Sequence, residues 1–155
     1  MLSSSLMDLI REKYADKTGE LLIPPPVFDE MEGEFVALDL DKRTLSTRFP
    51  VQTKYFNPYR AMQGGIIAAA VDNTLGPLSM LIAPPSVTRR LEMKYSRQVG
   101  SESEYISVVG RLVEQKERNL IFSAEVRDSK GNLMARARST HWIVETPSDP
   151  DTHNE

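Results

Sequence analysis

Between residues 61 and 82 the chain runs Ala-Met-Gln-Gly-Gly-Ile-Ile-Ala-Ala-Ala-Val-Asp-Asn-Thr-Leu-Gly-Pro-Leu-Ser-Met-Leu-Ile, apolar on nearly every side. Such a segment needs cover all round, so it predicts a buried helix. Pro77 is expected to kink or end it, and Pro84-Pro85 to stop it. One helix cannot cover itself. The rest of the chain must supply a layer large enough to do so.

That layer reads as strands. Residues 34–40 and 44–51 are strand-like, with Asp41-Lys42 near the turn. Four more strand-like runs follow the helix, at 87–99, 104–115, 119–128 and 133–145. They are broken at Gly100-Ser101, at Lys116-Glu117-Arg118 and at Ser129-Lys130-Gly131-Asn132. In the run from 119, Leu120, Phe122, Ala124 and Val126 alternate with Ser123, Glu125 and Arg127, the period of a half-buried strand. Consecutive strands joined by short turns predict an antiparallel sheet. The fold class is therefore α+β, an antiparallel sheet wrapped around a long central helix. Residues 5–15 predict a short amphipathic helix carrying Leu6, Leu9, Ile10 and Lys13 at helical spacing, and Pro24, Pro25 and Pro26 a stiff connector without regular structure. Residues 52–60 read as an ordered loop with Asn57-Pro58 as its turn marker. The organisation expected is an N-terminal helix and connector over 1–26, one domain over 27–146, and a disordered tail over 147–155.

Composition narrows the chemistry. A chain of 155 residues suits one domain, and its formal charge of -3 offers no basic face for nucleic acid. No uninterrupted apolar run approaches the roughly 18 residues of a membrane span. The first residues lack a basic segment followed by an apolar one, so the cytosol is the expected location. There is no cysteine, hence no thiol nucleophile and no thiolate metal site. Of the two histidines, His153 lies in a polar stretch and His141 in a strand-like run, so neither a catalytic triad nor a metal site is expected. Any catalysis falls to a carboxylate or to backbone groups.

The carboxylate is Asp72. Six apolar residues, Ile66 to Val71, precede it without a break, and an ionised group in such company is costly to desolvate. Helical spacing puts Gly65, Ala68, Ala69, Asp72 and Gly76 on one stripe of small residues, which something approaches closely. Asp72 either faces solvent or caps a turn at Gly76-Pro77, or it is a base or nucleophile in an apolar pocket, its basicity raised by burial. Gln63-Gly64-Gly65 sits where a loop enters the helix. Free N–H groups there can bind a polarised carbonyl as an oxyanion hole. Gly64 and Asp72 are eight residues apart, about 12 Å along a helix. One chain cannot easily bring both to one electrophile, whereas two chains about a two-fold axis can.

The order Asn57, then Gln63-Gly64-Gly65, then Asp72-Asn73, then four strands resembles the hotdog-fold acyl-CoA thioesterases, in particular the phenylacetyl-CoA thioesterase-like branch. The resemblance spans residues 35–144. It implies that the Gly64 N–H polarises the thioester carbonyl. It further implies that Asp72 of a partner chain attacks or activates water, that Asn57 positions water or substrate, and that Thr88 assists the carboxylate. It implies a homodimer or a dimer of dimers, and acyl-CoA as substrate with no other cofactor. The family usually has His where this chain has Gln63, which can hydrogen-bond but cannot transfer a proton as a base. Arg89, Arg90, Lys116 and Arg118 are the candidates for the CoA phosphates, and Tyr55, Phe56, Tyr59 and Met62 for an acyl pocket. Two other functions suit the same fold: a non-catalytic acyl-CoA or lipid binder, and a hydratase, which would need a histidine beside the carboxylate.

Overall fold

The computed structural model describes residues 2–17 and 21–144, so the tail expected at 147–155 lies outside the described residues. The elements run α1 (Leu2–Lys13), α2 (Pro26–Glu30), β1 (Glu34–Asp39), β2 (Thr44–Pro50), α3 (Gly64–Ile82), β3 (Ser86–Tyr95), β4 (Tyr105–Lys116), β5 (Asn119–Asp128) and β6 (Leu133–Ile143). Six strands form one sheet in the order β1-β2-β4-β5-β6-β3. Every neighbouring pair is antiparallel.

Alternation decides which face meets the helix. Leu45, Thr47 and Phe49 of β2 point inward, as do Ile106, Val108, Gly110 and Leu112 of β4 and Leu120, Phe122, Ala124 and Val126 of β5. They meet Ile67, Val71, Leu75 and Leu78 of α3, a stripe at helical spacing whose members are no more than 2% exposed. At Gly110 a Cβ would lie 2.6 Å from Leu75 Cδ2. Glycine there lets the helix sit directly on the sheet.

Two expectations for α3 need correction. The helix runs through Pro77 to Ile82 and does not end there. A proline ring crowds the Cβ of the residue before it, and that residue is Gly76, which has none. By length and composition α3 is also apolar enough to cross a membrane, against the expectation of no such segment. Packing under a sheet demands the same apolar residues.

The N-terminal segment differs from expectation too. α1 begins at Leu2 and ends at Lys13, ahead of a 3₁₀ turn at Ala15–Lys17. Its Leu6, Met7 and Ile10 belong to the same apolar cluster as the sheet and α3. Lys13 Nζ donates to the carbonyls of Met80 (2.6 Å) and Ala83 (2.7 Å), satisfying the C-terminal end of α3. The proline run does not forbid regular structure: Pro26 opens α2, because a first-turn residue has no helical N–H bond to lose.

β3 is an edge strand of ten residues, mostly exposed, with Val87 at 47% and Tyr95 at 46%. It is shorter than the expected 87–99. Ser96 and Arg97 donate to the Met134 carbonyl, and Met62 N–H donates to Val99 O at 2.7 Å. The end of that run thus packs against the loop entering α3.

Candidate active site

The Asp72 half of the site lies between α3, the start of β3 and α1. Thr88 Oγ1 donates to Asp72 Oδ1 at 2.9 Å. A bulge between Thr88 and Arg90 locally re-aims β3 beside this contact. Asp72 is exposed in the protomer, so the burial expected to raise its basicity is not supplied by its own chain. It does sit on apolar ground. Asp72 and Gly76 rim a groove of about 380 Å³ whose walls include Met7 and Ile10 of α1, Leu21, Ile23 and Met80.

The Gly64 half lies at the other end of β3. Gly64 is the first residue of α3, with Gln63 as its N-cap at φ -59° and ψ 139°. First-turn N–H groups have no carbonyl a turn earlier to bind. The Tyr95 hydroxyl donates to Gly64 O at 2.5 Å, and a Cβ on residue 64 would come within 3.1 Å of the Tyr95 ring. Asn57 Oδ1 accepts from the N–H groups of Tyr59 (2.9 Å) and Ala61 (3.2 Å), so this side chain clamps the loop. Asn57, Gly64, Ile67, Tyr95 and Val99 line a second cavity of about 260 Å³. Gln63 is exposed, and its side chain makes no capping bond.

The two halves do not meet within one protomer. The cavities share no lining residue. Thr88 and Tyr95 stand seven residues apart on β3, about 23 Å.

The other sequence candidates divide. Arg89 lies over the Trp142 ring at 5.4 Å. Ile143 N–H donates to Arg118 O at 2.8 Å, and Trp142 pairs with both Val87 and Asn119. This register gathers Arg89, Lys116 and Arg118 at the end of the sheet that carries Thr88. Arg90 is ion-paired to Glu92. Of the four candidate acyl-pocket residues only Met62 lines the Gly64 cavity. Tyr59 is 81% exposed, and the Tyr55 hydroxyl donates to Glu30 O at 3.2 Å. Among the described residues no cluster could hold a metal ion.

Sequence reasoning set His141 aside, yet the fold puts it beside the site. It faces inward on β6 opposite Thr88, 2% exposed. Its Nε2 lies 3.4 Å from Thr88 Oγ1 and its Nδ1 3.5 Å from Ser86 Oγ. Burial pushes the imidazole pKa down, against a smaller upward pull from the Asp72 charge. The unfolded chain therefore binds the proton first as pH falls below about 6.5, and stability drops there. A thermal melt series from pH 7.5 to 5 should show the melting temperature falling on the acid side, less steeply in His141→Gln.

No family model matches the sequence, and no curated protein matches it. Solved structures do. The Escherichia coli PaaI protein, from the phenylacetic acid degradation operon, superposes with a TM-score of 0.74 at 11% identity, covering 90% of this chain and 96% of that one. A phenylacetic acid degradation-related protein from Ralstonia eutropha gives 0.74 at 21% identity, covering 87% and 98%. A Streptococcus mutans protein bound to acetyl-CoA gives 0.68 at 18% identity, covering 81% and 94%. A mutant thioesterase from Pseudomonas aeruginosa gives 0.72 at 17% identity, covering 87% and 93%. With its six-stranded antiparallel sheet closed over one long helix, this chain has the hotdog fold of those proteins.

Proposed function

We propose that this protein hydrolyses acyl-CoA thioesters at sites shared between two copies of the chain. One observation carries the reading: Asp72 is tied to Thr88 at the start of β3, and Gly64 is tied to Tyr95 at its end. β3 is an open edge ten residues long, and exposed edges of that length invite pairing with another strand. Antiparallel pairing of two β3 strands about a two-fold axis near Leu91 and Glu92 sets Thr88 of one chain opposite Tyr95 of the other. Asp72 then approaches the partner's Gly64, and each dimer holds two equivalent sites. Likeness to a structure that binds acetyl-CoA and to a thioesterase supports the substrate class.

In this arrangement the Gly64 N–H donates to the thioester carbonyl oxygen and stabilises the oxyanion as the carbonyl carbon becomes tetrahedral. Asp72 of the other chain attacks that carbon itself, or takes a proton from the water that does. The C–S bond breaks, the thiolate of CoA leaves and gains a proton, and water's oxygen ends in the carboxylic acid. Thr88 holds the carboxylate in place. Gln63 orients the substrate without moving a proton. Arg89, Lys116 and Arg118 meet the phosphates of CoA, and the groove beside Asp72 takes the acyl chain.

The test is release of free CoA from a panel of short, long and aromatic acyl-CoAs. Hydrolysis of at least one is expected; ligand-induced thermal stabilisation without any turnover would instead establish a binding protein. The groove adds a finer outcome. Leu22 lines the groove and is 72% exposed in the protomer, so Leu22→Ser changes the groove wall and leaves the core intact. It should lower kcat/KM for long-chain esters by about tenfold or more, the rate equivalent of a lost apolar contact or two, and leave acetyl-CoA near the unaltered rate.

A further inference from the structure

We propose that His141 is a positioning residue for Asp72, acting through the Thr88 hydroxyl. The proposal rests on the hydrolysis reading for its kinetic consequences, but its geometry stands apart from it. Ser86, His141, Thr88 and Asp72 form one chain of polar contacts: Ser86 Oγ to His141 Nδ1 at 3.5 Å, His141 Nε2 to Thr88 Oγ1 at 3.4 Å, Thr88 Oγ1 to Asp72 Oδ1 at 2.9 Å. The carboxylate fixes the direction of every link. An ionised Asp72 only accepts, so the single Thr88 proton points to it. Thr88 then turns lone pairs toward His141, and Nε2 must carry the imidazole proton. Nδ1 is left as the acceptor for the Ser86 hydroxyl. The two links made by His141 are long for hydrogen bonds in the free protomer; they are the ones expected to shorten when substrate binds.

The surroundings suit a neutral imidazole. His141 pairs with Leu120 on β5 and packs on Phe122, ring centroids 4.7 Å apart. Among the described residues, β3 turns the Ser86 and Thr88 hydroxyls toward it, and α3 brings the charge of Asp72. Burial lowers the ring's pKa from the ordinary histidine value, against a smaller upward pull from Asp72. Were it to gain a proton, both nitrogens would donate, and the Ser86 hydroxyl would have to reverse. The relay therefore keeps the carboxylate aimed near neutral pH. It weakens as acid finally reaches the imidazole.

Nitrogen-15 NMR of selectively labelled histidine, with kinetics on the same preparations, tests this. At pH 7 the His141 ring should be the Nε2–H tautomer, and Thr88→Val, at an exposed edge, should perturb the Nε2 signal. His141→Leu should lower kcat by about tenfold, the worth of one net hydrogen bond, with KM within about twofold. His141→Gln, which keeps a donor and an acceptor but cannot titrate, should restore most of the rate and shift the acid limb of the pH profile. In a Thr88→Val background neither change at His141 should matter further. An Nδ1–H tautomer, or losses at Thr88 and His141 that multiply, overturns the relay. Should the expected tautomer and Thr88 response be found in a protein that cleaves no acyl-CoA, the relay stands and the hydrolysis reading falls.

Discussion

Asp72→Asn should retain the fold and lose turnover, by about two to four orders of magnitude, the usual contribution of a positioned base or more if the carboxylate itself attacks. The substitution is nearly isosteric. Its amide oxygen can still accept from Thr88 Oγ1, as Asp72 Oδ1 does in the protomer. What it removes is the lone pair basic enough to take a proton or bond to carbon. The measurement is thiol release from the best substrate of the acyl-CoA panel, alongside a thermal melt. An intact melting temperature with abolished turnover places the chemistry on the carboxylate. Turnover within a few-fold of the unaltered protein would leave Asp72 a surface residue and end the mechanism. Thr88→Val, which removes an orienting hydroxyl and leaves the carboxylate, should cost only about tenfold.

Much of the fold was legible because its elements are strongly patterned. The run from Ile66 to Val71 can only be buried, and the alternation of Leu120, Phe122, Ala124 and Val126 can only be a half-buried strand. The failures came where a pattern is local but the cause is not. Pro77 looks like a helix breaker until Gly76 before it is considered. The apolar residues around Asp72 suggest a buried acid, yet they are spread round the helix, and the acid lies on the protomer surface. The strand expected to reach Val99 stops at Tyr95, since the tertiary bonds of Met62 to Val99 and of Ser96 to Met134 pull its end away. His141 could not be found at all. It lies 69 residues beyond Asp72, and only the β3–β6 register, Thr88 opposite His141, brings it near. No spacing rule within one chain segment carries that information. The proposed two-chain site, by contrast, starts from helix geometry alone, because eight residues of rise separate Gly64 from Asp72 whatever surrounds them.

That separation makes mixed oligomers the sharpest test of where the site lies. Gly64→Pro removes the N–H assigned to the oxyanion at a position built to tolerate proline. Residue 64 is the first of α3, where proline is favoured, and Gln63 before it already has the extended backbone a proline requires. The Tyr95 side chain must give by a few tenths of an ångström to admit the Cβ. Gly64→Pro alone should lose about two to three orders of magnitude in kcat, the loss typical of a deleted oxyanion donor. Asp72→Asn alone is dead for a different reason. If each site takes Gly64 from one chain and Asp72 from the other, a dimer of the two variants has one doubly defective site and one intact site. Random exchange of equal amounts makes half the dimers mixed, so activity should return to about a quarter of the unaltered value. If both groups served a site within one chain, every site in the mixture would carry one defect and nothing would return. Recovery should also depend on time and dilution as subunits exchange, which separates it from residual activity in either parent. A mixture that stays inactive after exchange has been verified by mass would show that β3 does not bring Asp72 to a neighbouring Gly64.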